Sequence, residues 1–257
     1  MRRWILGLLV LVVFIYILVC LAVYFYQRSL MYFPQPRHVS AAESTMKLPV
    51  NGAEIIVTVR QHAGPKAIVY FGGNGEDVSY NLDAFSTWFP EHSLYLMHYR
   101  SYGGSTGSPT EESNHADAAE LFRVVHAQHP EITVIGRSLG TGVAVRLAST
   151  QPASRLILVT PYDTITEIAA NAYWFLPTRW LLLDKYESSR DAPAIKVPTT
   201  VIVAEHDVEI PRSSSDKLMT RFAPGIAKLV EIPGADHNSI MNRPGYRSAL
   251  QSGLSAR

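Results

Sequence analysis

The hydrophobic pattern divides the chain into two unlike parts. From Trp4 to Tyr26 no charged residue and no proline interrupts an apolar run of 23 positions. That exceeds the roughly 20 residues a helix needs to cross a bilayer. Beyond residue 50 the pattern becomes an alternation of short apolar runs and longer segments with helical spacing. The runs Glu54–Arg60, Ala67–Phe71, Ser93–Tyr99, Ile132–Gly136, Arg155–Thr160, Thr199–Ala204 and Lys228–Ile232 read as strands. Several are apolar throughout, the signature of strands covered on both faces. Asn81–Phe89, His115–Gln128, Leu139–Thr150, Arg212–Phe222 and Arg247–Leu254 read as helices. In the second of these, Ala118, Leu121, Phe122 and Val125 recur at helical spacing.

Strand–helix alternation predicts an α/β domain, with a mostly parallel central sheet flanked by helices on both faces. Residues 166–198 interrupt it, with the cap expected at about 166–190. There Tyr173–Leu183 is aromatic and apolar around Pro177, which predicts a small cap insertion. The expected organisation is a transmembrane anchor at 1–28, a connector at 29–50 carrying Pro34, Pro36 and Pro49, and one catalytic domain at 51–257.

The N-terminal run is longer than the 7–15-residue core of a cleaved signal peptide, and no small-x-small site follows it. Trp4 at one end and Tyr24, Phe25 and Tyr26 at the other suit the lipid–water boundary. Arg2 and Arg3 precede the run and Arg28 and Arg37 follow it, a slight bias for a cytoplasmic N-terminus. The domain is then expected on the outer or periplasmic side of a single-pass anchor formed by residues 4–26.

Composition adds little but excludes some classes. With 47% apolar and 18% charged residues the chain can bury a sizeable core. A net charge of +1 gives no nucleic-acid footprint. The single cysteine, Cys20, cannot form an internal disulfide. No HExxH, cysteine pair or dense carboxylate cluster implies a metal, and no cofactor is expected.

Ligands of such sheets bind at the carboxyl ends of the strands, so the residues that follow strands carry the chemistry. Gly136–Arg137–Ser138–Leu139–Gly140 joins a strand to a helix and fits the nucleophile elbow G-x-S-x-G. Ser138 is the expected nucleophile. A hydroxyl needs a base. Of nine histidines, His237 follows the last strand in Gly234–Ala235–Asp236–His237–Asn238. His115, His126 and His129 lie on a polar helix and read as solvated, whereas spacing alone leaves His98 and His206 open. The base in turn needs a carboxylate. Asp207 follows the strand Thr199–Ala204, and the order Ser, Asp, His is the one this arrangement uses. Asp163, after the preceding strand, is the alternative acid. The developing oxyanion needs two donors. The backbone N–H groups of Leu139 and of Asn74, in Gly72–Gly73–Asn74–Gly75, are the candidates.

These blocks resemble the Bem46-like branch of the α/β hydrolases, which includes acyl-protein thioesterases and serine peptidases. The resemblance covers about residues 47–240. It rests on Phe71–Gly75, Tyr99–Ser105 leading into Gly107–Glu111, Gly136–Gly140, Asp207–Pro211 and Asp236–His237. It implies an α/β-hydrolase fold with Ser138 as nucleophile, Asp207 as acid and His237 as base. Where the family usually has His-Gly-Asn, this chain has Gly72–Gly73–Asn74. The expected activity is hydrolysis of carboxylic esters or thioesters, with lipid-like acyl groups suited to a cap beside an anchor. A peptidase or amidase would use the same triad, a transferase would pass the acyl group to an alcohol, and a membrane-tethered scaffold would only bind.

Overall fold

The apolar runs assemble into a single eight-stranded sheet in the computed structural model, which describes residues 1–39, 41 and 44–255. The strands are β1 Thr45–Val50, β2 Ala53–Arg60, β3 Lys66–Phe71, β4 Ser93–Met97, β5 Glu131–Arg137, β6 Arg155–Val159, β7 Thr199–Ala204 and β8 Ala227–Ile232. Their order is β1-β2-β4-β3-β5-β6-β7-β8. The pairings β1–β2 and β2–β4 are antiparallel, and the rest are parallel. β3 sits near the centre, with Val69 opposite Tyr95 on one side and Val134 on the other.

Successive residues of a strand face opposite ways. Val69 therefore packs into one core, and its neighbours Ile68 and Tyr70 into a second on the other face. The first core takes its cover from α3 (Glu111–His126) and α4 (Leu139–Thr150). The second takes it from α2 (Leu82–Trp88) and α9 (Pro244–Ser255). α8 (Arg212–Met219) buries Leu218 in the first core.

All seven expected strands correspond to β2–β8. β1 lies inside the segment read as connector. Its pattern is weak because only Leu48 is buried, and Pro49 interrupts it. An edge strand tolerates proline, since one side of its backbone donates to nothing. α3 starts four residues before the expected His115. Thr110 caps it through the Ser113 N–H while the Ser113 hydroxyl accepts from the Thr110 N–H, a capping box with serine in place of the usual Glu or Gln. α9 likewise starts earlier, with Pro244 as its first residue, where the missing N–H costs nothing.

α1 runs from Arg2 to Met31, and its apolar side chains are largely exposed. It is long and apolar enough to span a membrane. The interruption after β6 holds α5 (Ile165–Ala172), the single-turn α6 (Thr178–Leu181) and α7 (Ser188–Asp191). No residue of α5 is buried.

Candidate active site

The turn from β5 into α4 is shaped by two close approaches. A Cβ on Gly136 would lie 2.4 Å from the Gly140 carbonyl oxygen, and one on Gly140 would lie 2.1 Å from the carbonyl oxygen of Phe71 in β3. Only glycine fits at either position, so the helix can start directly against the sheet. Ser138 between them has φ +50° and ψ −121°, a conformation that costs a non-glycine residue about 1–3 kcal/mol. The strain lifts its side chain out of the turn at the positive end of α4.

The Ser138 Oγ lies 2.9 Å from His237 Nε2, and His237 Nδ1 lies 2.8 Å from Asp207 Oδ2. The imidazole is buried. Asp207 is itself held, because its Oδ1 accepts from the N–H groups of Glu209 at 3.0 Å and Ile210 at 2.8 Å. Asp163, the alternative acid, is buried and occupied elsewhere. It accepts from the Ser214 hydroxyl at 2.8 Å and pairs with Lys217 at 2.6 Å. Asp236 points away from its neighbour, accepting from the N–H groups of Asn238 and Ser239.

The other histidines stand apart from Ser138. His98 is buried against Thr58 Oγ1 at 2.9 Å, and burial pushes its ring down to about 4. His206 is exposed. His129 and His115, read as solvated, are not. His129 is buried with Nδ1 2.8 Å from the Gly64 carbonyl oxygen. His115 is half-buried against Tyr186 and also pushed down to about 4 by burial. His115 sits on the α3 turn that faces the cores, and His129 lies beyond the helix end, so helix polarity misread both.

Gly72–Asn74 closes the cleft opposite the imidazole. A Cβ on Gly73 would lie 3.5 Å from that of Ser138. The N–H groups of Asn74 and Leu139 donate to no partner among the described residues. The loop lacks the family histidine, but many other groups brace it. Tyr99 donates to the Gly72 carbonyl at 2.9 Å, and Tyr102 donates to that of Asn74. The Phe33 N–H also donates to the Asn74 carbonyl, while the Asn74 side chain donates to the Met31 carbonyl at 2.8 Å. The Tyr99–Ser105 turn thus supports the loop through its two tyrosines.

Sequence reasoning missed the buried pair beneath this loop. Glu76 accepts from the Gly73 N–H at 2.8 Å, from Tyr70 and Asn81 at 2.7 Å each, and from Arg137 at 3.0 Å. Arg137 also donates to the His237 carbonyl at 3.1 Å. One ion pair therefore ties the Gly73 loop, the elbow and the histidine loop together. Burial works against the Arg137 charge, but Glu76 together with Tyr70 and Tyr246 outweighs it and holds the guanidinium above its usual range. No local signal marks this pair, whose members are 61 residues apart.

Together these residues line a cleft of about 390 Å³ that also takes in Gln35, Asp77 and Glu209. Such a cleft can present a primed hydroxyl and two backbone donors to a carbonyl group.

No protein-family model matches the chain. Individual relatives do. An uncharacterised protein of Mycobacterium tuberculosis is 32% identical over 231 residues, covering 82% of this chain and 80% of the relative. The lysophosphatidylserine lipase ABHD12 of Xenopus tropicalis is 30% identical over 185 residues, covering 61% of this chain and 48% of the relative. Among solved structures, the esterase Pf2001 of Pyrococcus furiosus superposes with a TM-score of 0.67 at 16% identity, covering 88% of this chain and 97% of the esterase. The chain belongs to the α/β-hydrolase superfamily, and its hydrolase-named relatives support hydrolase activity.

Proposed function

We propose that this protein is a membrane-anchored serine hydrolase that cleaves carboxylic esters or thioesters through an acyl-enzyme. The observation that carries the reading is the unbroken contact from Ser138 through His237 to Asp207 at a strained elbow. In the reaction, His237 Nε2 takes the Ser138 proton as Oγ bonds to the acyl carbon. The N–H groups of Leu139 and Asn74 hold the oxyanion, each worth about 3 kcal/mol. The imidazolium, steadied by Asp207, returns its proton to the departing alcohol or thiol. A water molecule then gives its proton to His237 and its hydroxyl to the acyl carbon, the Oγ–acyl bond breaks, and the imidazolium returns the proton to Ser138 Oγ as the acid leaves.

Residues 1–28 serve as the anchor and 29–50 as a connector that contributes β1. The hydrolase domain is 51–257, with 166–190 as its cap. The arginines flanking α1 favour a cytoplasmic N-terminus, with the domain on the other side. The named activity of the ABHD12 relative favours a lipid-like acyl substrate.

Turnover of p-nitrophenyl acyl esters against aminoacyl anilides, with Ser138→Ala as control, tests the reading. Esters are expected to be cleaved far faster, and only by the wild type. Preferred cleavage of anilides would make the protein a peptidase or amidase. Equal turnover by Ser138→Ala would remove the serine mechanism altogether.

A further inference from the structure

A second cavity, of about 400 Å³, lies between α1 and the insertion. Its walls are apolar: Val23 and Leu30 from α1, and Ile168, Ala172, Leu176 and Leu181 from the insertion. At one end it is bounded by Asn74 and Glu209, which also line the cleft around Ser138. The polar cleft and the apolar groove therefore meet at the Gly72–Asn74 loop. At the other end Val23 lies inside the apolar run of α1, just before Tyr24, Phe25 and Tyr26.

The insertion is fastened to α1 along its length. The Gln27 side chain donates to the Leu181 carbonyl at 3.0 Å and accepts from the Leu183 N–H at 2.7 Å. Arg28 pairs with Asp184 at 3.0 Å, and Tyr32 donates to the same carboxylate at 3.1 Å. Deeper along the helix, the Tyr16 hydroxyl donates to the Phe175 carbonyl at 2.9 Å. Tyr16 lies ten residues before Tyr26, about 15 Å along the axis. That is half of a hydrocarbon layer about 30 Å thick. If α1 spans the bilayer, the tip of the insertion stands at the depth of one leaflet. Its outward surface carries large rings, with Trp174 83% and Trp180 88% exposed, beside Arg179, which pairs with Glu167 at 2.9 Å. Rings of this kind are unfavourable in water and at home near the lipid boundary.

We propose that the groove between α1 and the insertion holds the acyl chain of a bilayer-resident lipid ester or thioester. The chain slides in from the leaflet, the carbonyl reaches Ser138 beside Asn74, and the polar leaving group occupies the cleft. This rests on the reading of Ser138 as nucleophile. Water is about 30 Å³ in the liquid and a methylene is of similar size, so the groove has room for on the order of a dozen chain carbons. Hydrolysis adds water across the acyl bond, leaving a fatty acid in the groove and a protonated alcohol or thiol in the cleft.

The test uses the full chain in phosphatidylcholine vesicles. A monoacylglycerol with a diazirine near the end of its chain is photolysed on Ser138→Ala; the photolabel sits on the acyl chain, so it reports on the groove whether or not the ester is cleaved. Crosslinks are expected in residues 23–31 and 165–182, reduced at least fivefold by Ala172→Trp or Ile168→Trp, two separate ways of filling the groove. In the chain with Ser138 intact, the same substitutions should lower the ratio of kcat/KM for p-nitrophenyl palmitate to that for p-nitrophenyl acetate at least tenfold. Crosslinks confined to other parts of α1, or a ratio unmoved by both substitutions, would overturn the groove. Faster cleavage of soluble palmitoyl-coenzyme A than of the vesicle-borne ester would overturn the bilayer source. Retention of acetate hydrolysis by Ser138→Ala would instead defeat the nucleophile reading, and the crosslinks would still report on the groove.

Discussion

The elbow and the insertion meet at Asn74 yet are held in place by opposite means. Around Ser138 the interior decides everything. Glycines pack on backbone atoms, the Arg137 and Glu76 side chains pair while only 9% and 10% exposed, and β3, β5 and β7, which lead to Gly73, Ser138 and Asp207, are covered on both faces. In the insertion α5 buries nothing, large aromatics face outward, and position comes from polar contacts to α1. The first region is a rigid platform in which a misplaced atom is costly. The second takes its place from a helix and, on our reading, from lipid. Substitutions should therefore separate the two, with large effects on chemistry and stability at the platform and effects on lipid delivery at the insertion.

The largest difference should come from the reacting groups. Ser138→Ala should lower ester turnover by about 10⁴-fold or more. Asp207→Asn should lower kcat by about 10⁴-fold, as expected when the histidine loses its tautomer partner. Asp163→Asn should leave kcat within about tenfold and act on thermal stability, since its partners are Ser214 and Lys217. Equal losses of kcat in the two aspartate variants would reassign the acid.

Next in size is the buried pair. Glu76→Gln leaves the Arg137 charge without its partner, a loss of about 3–5 kcal/mol for a buried ion pair. For a domain of this size that lowers Tm by about 10 °C. The double variant Glu76→Gln, Arg137→Met should recover part of the loss in stability without recovering kcat, because the Gly73 and His237 loops stay untied. Recovery of both would make the pair purely structural.

A smaller effect is set by pH. Folded His98 titrates near 4, because burial pushes it down, Asp77 opposes the shift and Arg37 adds to it. The unfolded ring titrates near 6.5, so between these values the unfolded chain binds a proton that the folded one refuses. The stability held by neutral His98 is full above about pH 6.5 and declines as pH falls toward 4, by up to about 3 kcal/mol. Tm measured from pH 7.5 to 4.5 should fall less steeply in His98→Asn than in the wild type. Parallel curves would show that His98 does not contribute. His92 and His115, also pushed down to about 4 by burial, should keep some slope in both.

The smallest change in stability should come from the insertion surface. Trp180→Ser in detergent should move stability by no more than about 0.5 kcal/mol, as at an exposed site, while reducing turnover of vesicle-borne esters. A large drop in Tm would show that Trp180 packs against protein rather than lipid.

How much could be read beforehand follows the same division. Inner strands such as Ala67–Phe71 were legible because burial on both faces leaves an unbroken apolar run. The placement of Ser138, Asp207 and His237 after strands made their convergence an expectation from topology. β1 was obscured because an edge strand with a single buried residue carries little pattern. The Glu76–Arg137 pair was invisible for a different reason. Glu76 looks like any loop carboxylate and Arg137 fills a variable position of the elbow, so only the fold brings them together. His115 was misread because a polar helix does not report which of its side chains meet a neighbouring ring, and His129 because it lies past the end of that helix, against the Gly64 carbonyl.

The most direct measurement is the mass of the covalent adduct formed when the full chain meets a fluorophosphonate, mapped by peptide. One phosphonyl group on the peptide carrying Ser138 is expected, absent from Ser138→Ala and formed much more slowly in His237→Ala. An adduct on another residue, or equal labelling of wild type and Ser138→Ala, would contradict the assignment of Ser138 as the activated nucleophile.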